Sequence, residues 1–245
     1  LIHILAGIYR HDCGQILLNG NPYSPRGFHE AQENGVAVIL QEPGIIPSLT
    51  VGENLFIRRE TVYSSFGIQN PHKRAKLAQE LINDICPDMD VRTRAGDLTL
   101  EQQKLVELAR ALSADPKILI VDETSAAMTE RNAQFLFEQI RQAKERGVLV
   151  ILVSHRMEEI FDLCDQVLVL KDGKLVTTLS VEDTSPDELS SLMVGREIQF
   201  SGIRSRISHT DNRNVVLEVR QLSLPGSFEN VSFVLREGEI LGIGG

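Results

Sequence analysis

Three short apolar runs constrain this chain most: residues 36–40 (VAVIL), 117–121 (KILIV) and 148–153 (VLVILV). Each is rich in β-branched residues and none alternates apolar with polar. Each therefore predicts a strand covered on both faces, as in a parallel sheet. Between the last two, Leu136, Ile140 and Ala143 recur at helical spacing and Gly147 ends the stretch, which predicts a strand–helix–strand crossover. Leu77, Ala78, Leu81, Ile82 and Ile85 share one helical face, Leu105, Leu108, Ala109 and Leu112 share another, and Pro116 closes that region. A mostly helical insert is thus expected between Gln41 and Ala114. Residues 166–178 read as a hairpin about Asp172-Gly173, and residues 14–20 as a strand ending in a turn. Residues 199–214 are polar and basic without periodicity, as in a linker. A new β-rich segment begins at Val215 and ends as an apolar strand running into glycines.

Composition narrows the class. At 42% hydrophobic and 24% charged residues, the 245-residue chain has enough apolar material for a real core. A net charge of -9 argues against a broad nucleic-acid footprint. Cys13, Cys86 and Cys164 have no metal-ligand or redox spacing, so they read as reduced, at least half-buried apolar residues of a cytoplasmic protein. The longest apolar run, residues 148–154, falls far short of the roughly 20 residues a membrane span needs. No signal peptide is legible in residues 1–10. The first residue is Leu, and the reading is of a chain that starts inside a longer protein.

Four motifs carry chemistry. In residues 118–123 (ILIVDE), a buried strand emits Asp122 and Glu123. An aspartate there suits a Mg²⁺ shell and a glutamate suits polarising water, although solvated acids capping a strand are the ordinary alternative. Residues 148–153 end in Ser154-His155, where a histidine reaches a terminal phosphate or is simply an edge residue. Gln41 follows residues 36–40 and can ligate Mg²⁺ or orient water. Thr99 is a plausible N-cap for the helix carrying Leu105, and a capped helix N-terminus suits phosphate.

The order Gln41, Thr99-Leu100-Glu101-Gln102, Asp122-Glu123, His155 resembles the ABC ATPase family, with its Q-loop, signature, Walker B and switch histidine. Residues 1–15 look like the helix that follows a Walker A loop there. Residues 41–55, 102–112 and 153–160 are similar to importers of the ribose and galactose type. The resemblance implies an α/β P-loop NTPase core with a mostly parallel sheet, a helical subdomain at about 44–114 and an antiparallel β subdomain. It implies a first ABC ATPase domain over residues 1–198 without its N-terminal strands and Walker A, a linker at 199–214, and the opening strands of a second domain at 215–245. ATP and Mg²⁺ are the implied ligands. Asp122 and Gln41 would bind the metal, Glu123 would be the general base, and His155 would stabilise the γ-phosphate. Thr99, Leu100, Glu101 and Gln102 would contact ATP held by a partner domain, either a second domain of the same polypeptide or a homodimer mate. The implied partners are transmembrane permease subunits and, indirectly, a solute-binding protein, at the cytoplasmic face of the membrane, with no nucleic acid. Without a Walker A loop, this chain alone is expected not to hydrolyse ATP.

Three positions depart from the family pattern. Glu101 replaces a glycine, and a carboxylate beside a triphosphate weakens the site unless it turns to solvent. Thr124 stands where proline is usual, and Ala126 lacks a hydroxyl that helps bridge domains. These leave open a degenerate regulatory domain. A soluble ABC ATPase acting on ribosomes or DNA is a further alternative, disfavoured by the lack of long heptads in the insert.

Overall fold

The computed structural model describes residues 1–65, 68–194, 213–225 and 228–244. All but the last two residues of the expected linker lie outside the described residues. Along the chain come α1 (Ile2–Leu5), β1 (Cys13–Leu18), β2 (Asn21–Pro22), α2 (Phe28–Glu33) and β3 (Val36–Ile39). Next are α3 (Val51–Leu55), the short strands β4 (Ser64–Ser65) and β5 (Ile68–Gln69), α4 (Pro71–Asn83) and α5 (Leu100–Leu112). Then follow β6 (Ile118–Asp122), α6 (Glu130–Glu145), β7 (Leu149–Val153), α7 (Met157–Leu163), β8 (Gln166–Lys171), β9 (Lys174–Ser180) and α8 (Pro186–Val194). The last strands are β10 (Val215–Leu224), β11 (Phe228–Arg236) and β12 (Ile240–Gly244). The chain divides into two compact units, one of Leu1–Val38, Lys117–Glu123 and Phe137–Gly245, the other of Ile39–Pro116 and Thr124–Leu136.

In the first unit the strands join one mixed sheet in the order β2-β1-β10-β11-β9-β8-β12-β7-β6-β3. The three apolar runs form β3, β6 and β7, and the first four residues of each are buried. β6 and β7 run parallel in register from Ile118↔Leu149 to Asp122↔Val153, joined through α6. β1 with β10, β10 with β11 and β8 with β9 are antiparallel. The hairpin between β8 and β9 turns on Asp172 (φ 49°) and Gly173 (φ 74°), and the one between β1 and β2 on Asn19 (φ 52°) and Gly20 (φ 76°). Both central residues are left-handed, as a tight type I′ turn requires.

Residues 215–244 supply β10, β11 and β12 to this same sheet. β12 lies inside it, parallel to β7 from Ile240↔Val150 to Ile243↔Val153, and parallel to β8 from Leu241↔Gln166 to Gly244↔Val169. A Cβ at Gly242 would approach Cys164 Sγ to 3.0 Å and the Gln166 carbonyl oxygen to 3.3 Å, so this strand needs glycine where the thiol crosses it. Cys164 is buried, and desolvation pushes its thiol up to about 12, so it behaves as an inert packing residue. Cys86 is half-buried as expected. Cys13 corrects the sequence reading: it is exposed, because β1 is covered only from Ile16 onward.

In the second unit, α3, α4 and α5 close around Val51, Leu55, Phe56, Ala78, Ile82, Met89, Val91, Val106 and Ala109. Leu77, Leu81 and Ile85 pack against this cluster, so the helical stripes are core. Thr50 with Glu53 and Thr99 with Gln102 make reciprocal capping boxes at the starts of α3 and α5. Asn54 is fully buried and ties down the preceding loop. Its Oδ1 accepts from the Ile46 amide at 2.8 Å, and its Nδ2 donates to the Ile46 and Thr50 carbonyls at 3.1 and 3.0 Å.

Candidate functional site

Asp122 is the last residue of β6, opposite Val153 in register. The chain then turns sharply: Glu123 has φ +42°, and its amide donates to the Val153 carbonyl at 3.0 Å. That turn carries the Glu123 carboxylate out of the line of β6 toward the end of β7. There Glu123 Oε1 meets His155 Nδ1 at 3.2 Å, with the histidine side chain 59% exposed and the glutamate 31%. Asp122, Glu123 and His155 therefore lie together at one sheet edge, on the ends of adjacent parallel strands.

The loop carrying His155 is held from behind. Ser154 Oγ donates to Glu159 Oε2 at 2.7 Å, and both residues are buried. Ser154 Oγ also accepts from the Arg156 amide at 3.0 Å, while Arg156 pairs with Glu159 at 3.1 Å. Ser154 had appeared only as a neighbour of the histidine, and nothing in the spacing marked Glu159. Their separation of five residues spans the strand-to-helix junction at the start of α7, a boundary periodicity does not show.

The other candidates belong to the second unit. Gln41 is exposed, two residues beyond β3. Thr99 caps α5 as expected, and its Oγ1 accepts from the Gln102 amide at 3.2 Å. Leu100, at the first position of α5, is 50% exposed. The carboxylate of Glu101 does not simply face solvent: Oε1 accepts from the Thr129 amide at 2.6 Å and from its hydroxyl at 2.7 Å. Thr129 immediately precedes α6, so Glu101 satisfies a free amide at a helix start. These two bonds, the side-chain one foremost, hold the Glu101 carboxyl below the usual carboxylate range.

A depressed folded value means the contact stabilises the protein fully above the ordinary carboxylate range. That contribution is lost as pH falls through the depressed value. Glu101→Ala is expected to cost about 1 kcal/mol at pH 7, the scale of a lost helix cap, and less as the carboxylate becomes protonated, since a charged acceptor makes the stronger bond. Urea unfolding of both proteins through the acid range checks this. A penalty that does not shrink as pH falls would show that the charge of Glu101 is not its origin.

A family model described as "ABC transporter" matches residues 1–126. The ribose import ATP-binding protein RbsA of Geobacillus kaustophilus (strain HTA426) is 42% identical over 245 residues, covering all of this chain and 49% of that protein. The putative ribose/galactose/methyl galactoside import ATP-binding protein 2 of Burkholderia lata is 39% identical over 249 residues, again covering all of this chain and 46% of that protein. The chain thus spans about half the length of the curated relatives it matches. Among solved structures, the dimeric post-hydrolysis state of the ATP-binding cassette MJ0796 bound to ADP and Pi superposes with a TM-score of 0.61 at 19% identity, covering 74% of this chain and 78% of that one. That likeness establishes the α/β cassette fold expected from the sequence. By the family match over residues 1–126 and the fold it shares, the chain belongs to the ABC transporter family.

Proposed function

We propose that this chain is the nucleotide-hydrolysing part of an importer for a sugar or similar small solute, using ATP and Mg²⁺ and acting on permease subunits at the cytoplasmic face of the membrane. The observation that carries this reading is the pairing of Glu123 with His155 at 3.2 Å beside Asp122. The names of the relatives above supply the importer class.

Mg²⁺ fits the residues present. Among the described residues, no three His, Cys, Asp or Glu side chains gather into a metal cage. Mg²⁺ characteristically takes only one or two carboxylates and completes its shell with substrate phosphates and water. Asp122 and Gln41 are the oxygen donors assigned to it. Held there, Mg²⁺ would supply positive charge against the triphosphate. Glu123 accepts the proton of the attacking water, and His155 holds the Glu123 carboxylate in place and stabilises the γ-phosphate. Thr99, Leu100, Glu101 and Gln102 face ATP held by a partner domain. That partner is a second ABC domain of the same polypeptide or a homodimer mate, and a solute-binding protein acts indirectly through the permease. The regulatory alternative draws on Glu101 and Ala126; the contact of Glu101 with Thr129 gives that carboxylate a structural partner.

We also read residues 1–198 as a first ABC ATPase domain without its own opening strands, and residues 215–245 as the opening strands of a second, with the linker between. This division rests on the resemblance of residues 215–245 to such opening strands; here β10, β11 and β12 pair within the sheet of the first unit.

Among the described residues no helix is long and apolar enough to cross a membrane. Expressed from its whole gene, the protein is expected to copurify with a membrane permease that raises its ATP turnover. Copurification with ribosomes, and no response to a permease, would overturn the importer reading.

A further inference from the structure

Helix α5 buries two full charges that the proposed chemistry does not use. Lys104 has no exposed surface, and Glu107 is 2% exposed. They pair three residues apart, Nζ to Oε2 at 3.0 Å, and Arg110 approaches Glu107 Oε1 at 3.5 Å. Taking such ions out of water costs several kcal/mol each, so a pair alone is a poor reason to bury them. Among the described residues, backbone groups of the loop that follows β3 are further partners. Lys104 Nζ donates to the Leu40 carbonyl. Glu107 Oε1 accepts from the Gly44 amide at 2.5 Å. Arg110 donates to the Gly44 carbonyl at 2.8 Å.

These three bonds grip the chain directly before Gln41 and three residues after it, while Gln41 itself stays exposed. The grip is close. A Cβ on Gly44 would lie 3.0 Å from Glu107 Oε1 and 3.3 Å from Arg110 Nη2.

We infer that Lys104, Glu107 and Arg110 are positioning residues that lock the Gln41 loop to α5, so that Gln41 and the turn at Thr99–Gln102 move as one piece. The role given to Gln41 rests on the function proposed above; the brace itself does not. Its consequence is direct: a displacement felt at the first turn of α5 reaches Gln41 without a loose joint between them.

The test is the double substitution Lys104→Met with Glu107→Leu, which replaces the buried pair by apolar groups of similar size. Such exchanges commonly leave a protein as stable or more so. In the 245-residue chain, thermal unfolding is expected to stay within a few degrees of wild type, while hydrogen exchange at the Gly44 amide rises about tenfold, the value of one lost hydrogen bond. Gly44→Ala, which crowds the brace without removing a charge, is expected to raise the same exchange and serves if the double variant does not fold. Unchanged Gly44 exchange in a folded variant overturns the brace. In the protein expressed from its whole gene, the double variant is expected to lose at least about tenfold in kcat/KM for MgATP, as for a misplaced site residue. Faster exchange with unchanged kcat/KM would overturn the link to Gln41. Absence of ATP turnover in the unsubstituted protein would instead count against the proposed function and leave the exchange result standing.

Discussion

Cut after residue 212, the chain is expected to lose its cooperative unfolding transition. β12 is hydrogen-bonded on both sides, to β7 and to β8, so removing it opens two bare edges in the middle of the sheet. β10 and β11 go with it, and with them the longer of the two partners of β1. The removed segment carries Leu217, Val219, Leu222, Phe228, Val231, Phe233, Leu235, Ile240 and Leu241, all buried. At about 1.5–3 kcal/mol for each buried side chain, the gross loss matches or exceeds the whole net stability of a typical domain, about 5–15 kcal/mol. Entropy regained by the shorter chain offsets part of this but does not fill the open slot. Thermal melts followed by near- and far-ultraviolet circular dichroism check the result. A sharp melt of the shortened chain, near the temperature of the intact one, would mean that these strands are not integral to the sheet.

Glu123→Gln is expected to lower ATP turnover about 10²–10⁴-fold, the usual worth of a positioned proton acceptor, while MgATP binding survives. The amide keeps the size of the side chain and can still meet His155, but it cannot take up a proton from water. Turnover and equilibrium MgATP binding, measured together on the protein expressed from its whole gene, separate the two effects. Hydrolysis at the unsubstituted rate would remove Glu123 from the role of base. Loss of binding with loss of turnover would place it among the metal ligands instead.

The parts of the fold that could be read from residue order are those whose cause is local. Residues 118–121 and 149–152 are unbroken apolar runs because both faces of β6 and β7 are covered, and that leaves a mark on every position. Thr99 followed three residues later by Gln102 is likewise a complete local device. Asp122, Glu123 and His155 were legible as residues at strand ends, but their meeting depends on β6 and β7 being neighbours.

What stayed hidden depends on distant partners. Lys104 and Glu107 look like solvated charges on an amphipathic helix; they are buried because the backbone at Leu40 and Gly44, 64 and 63 residues away, receives them. Glu101 offered two readings, toward phosphate or toward solvent. Neither named Thr129, 28 residues further on, which its carboxylate meets. α2 and α7, of six and seven residues, are too short to show a period. The placement of β12 between β7 and β8 has no sequence mark beyond its apolarity.

The left-handed backbone at Glu123 sets function against durability. A side chain with a Cβ is uncomfortable at φ +42°, and holding a non-glycine residue there costs of order 1 kcal/mol. Asn or Gly would relieve that strain and remove the carboxylate that meets His155. A search for heat-resistant variants would be drawn to this position and, on the reading of Glu123 as the base, would lose turnover with the strain.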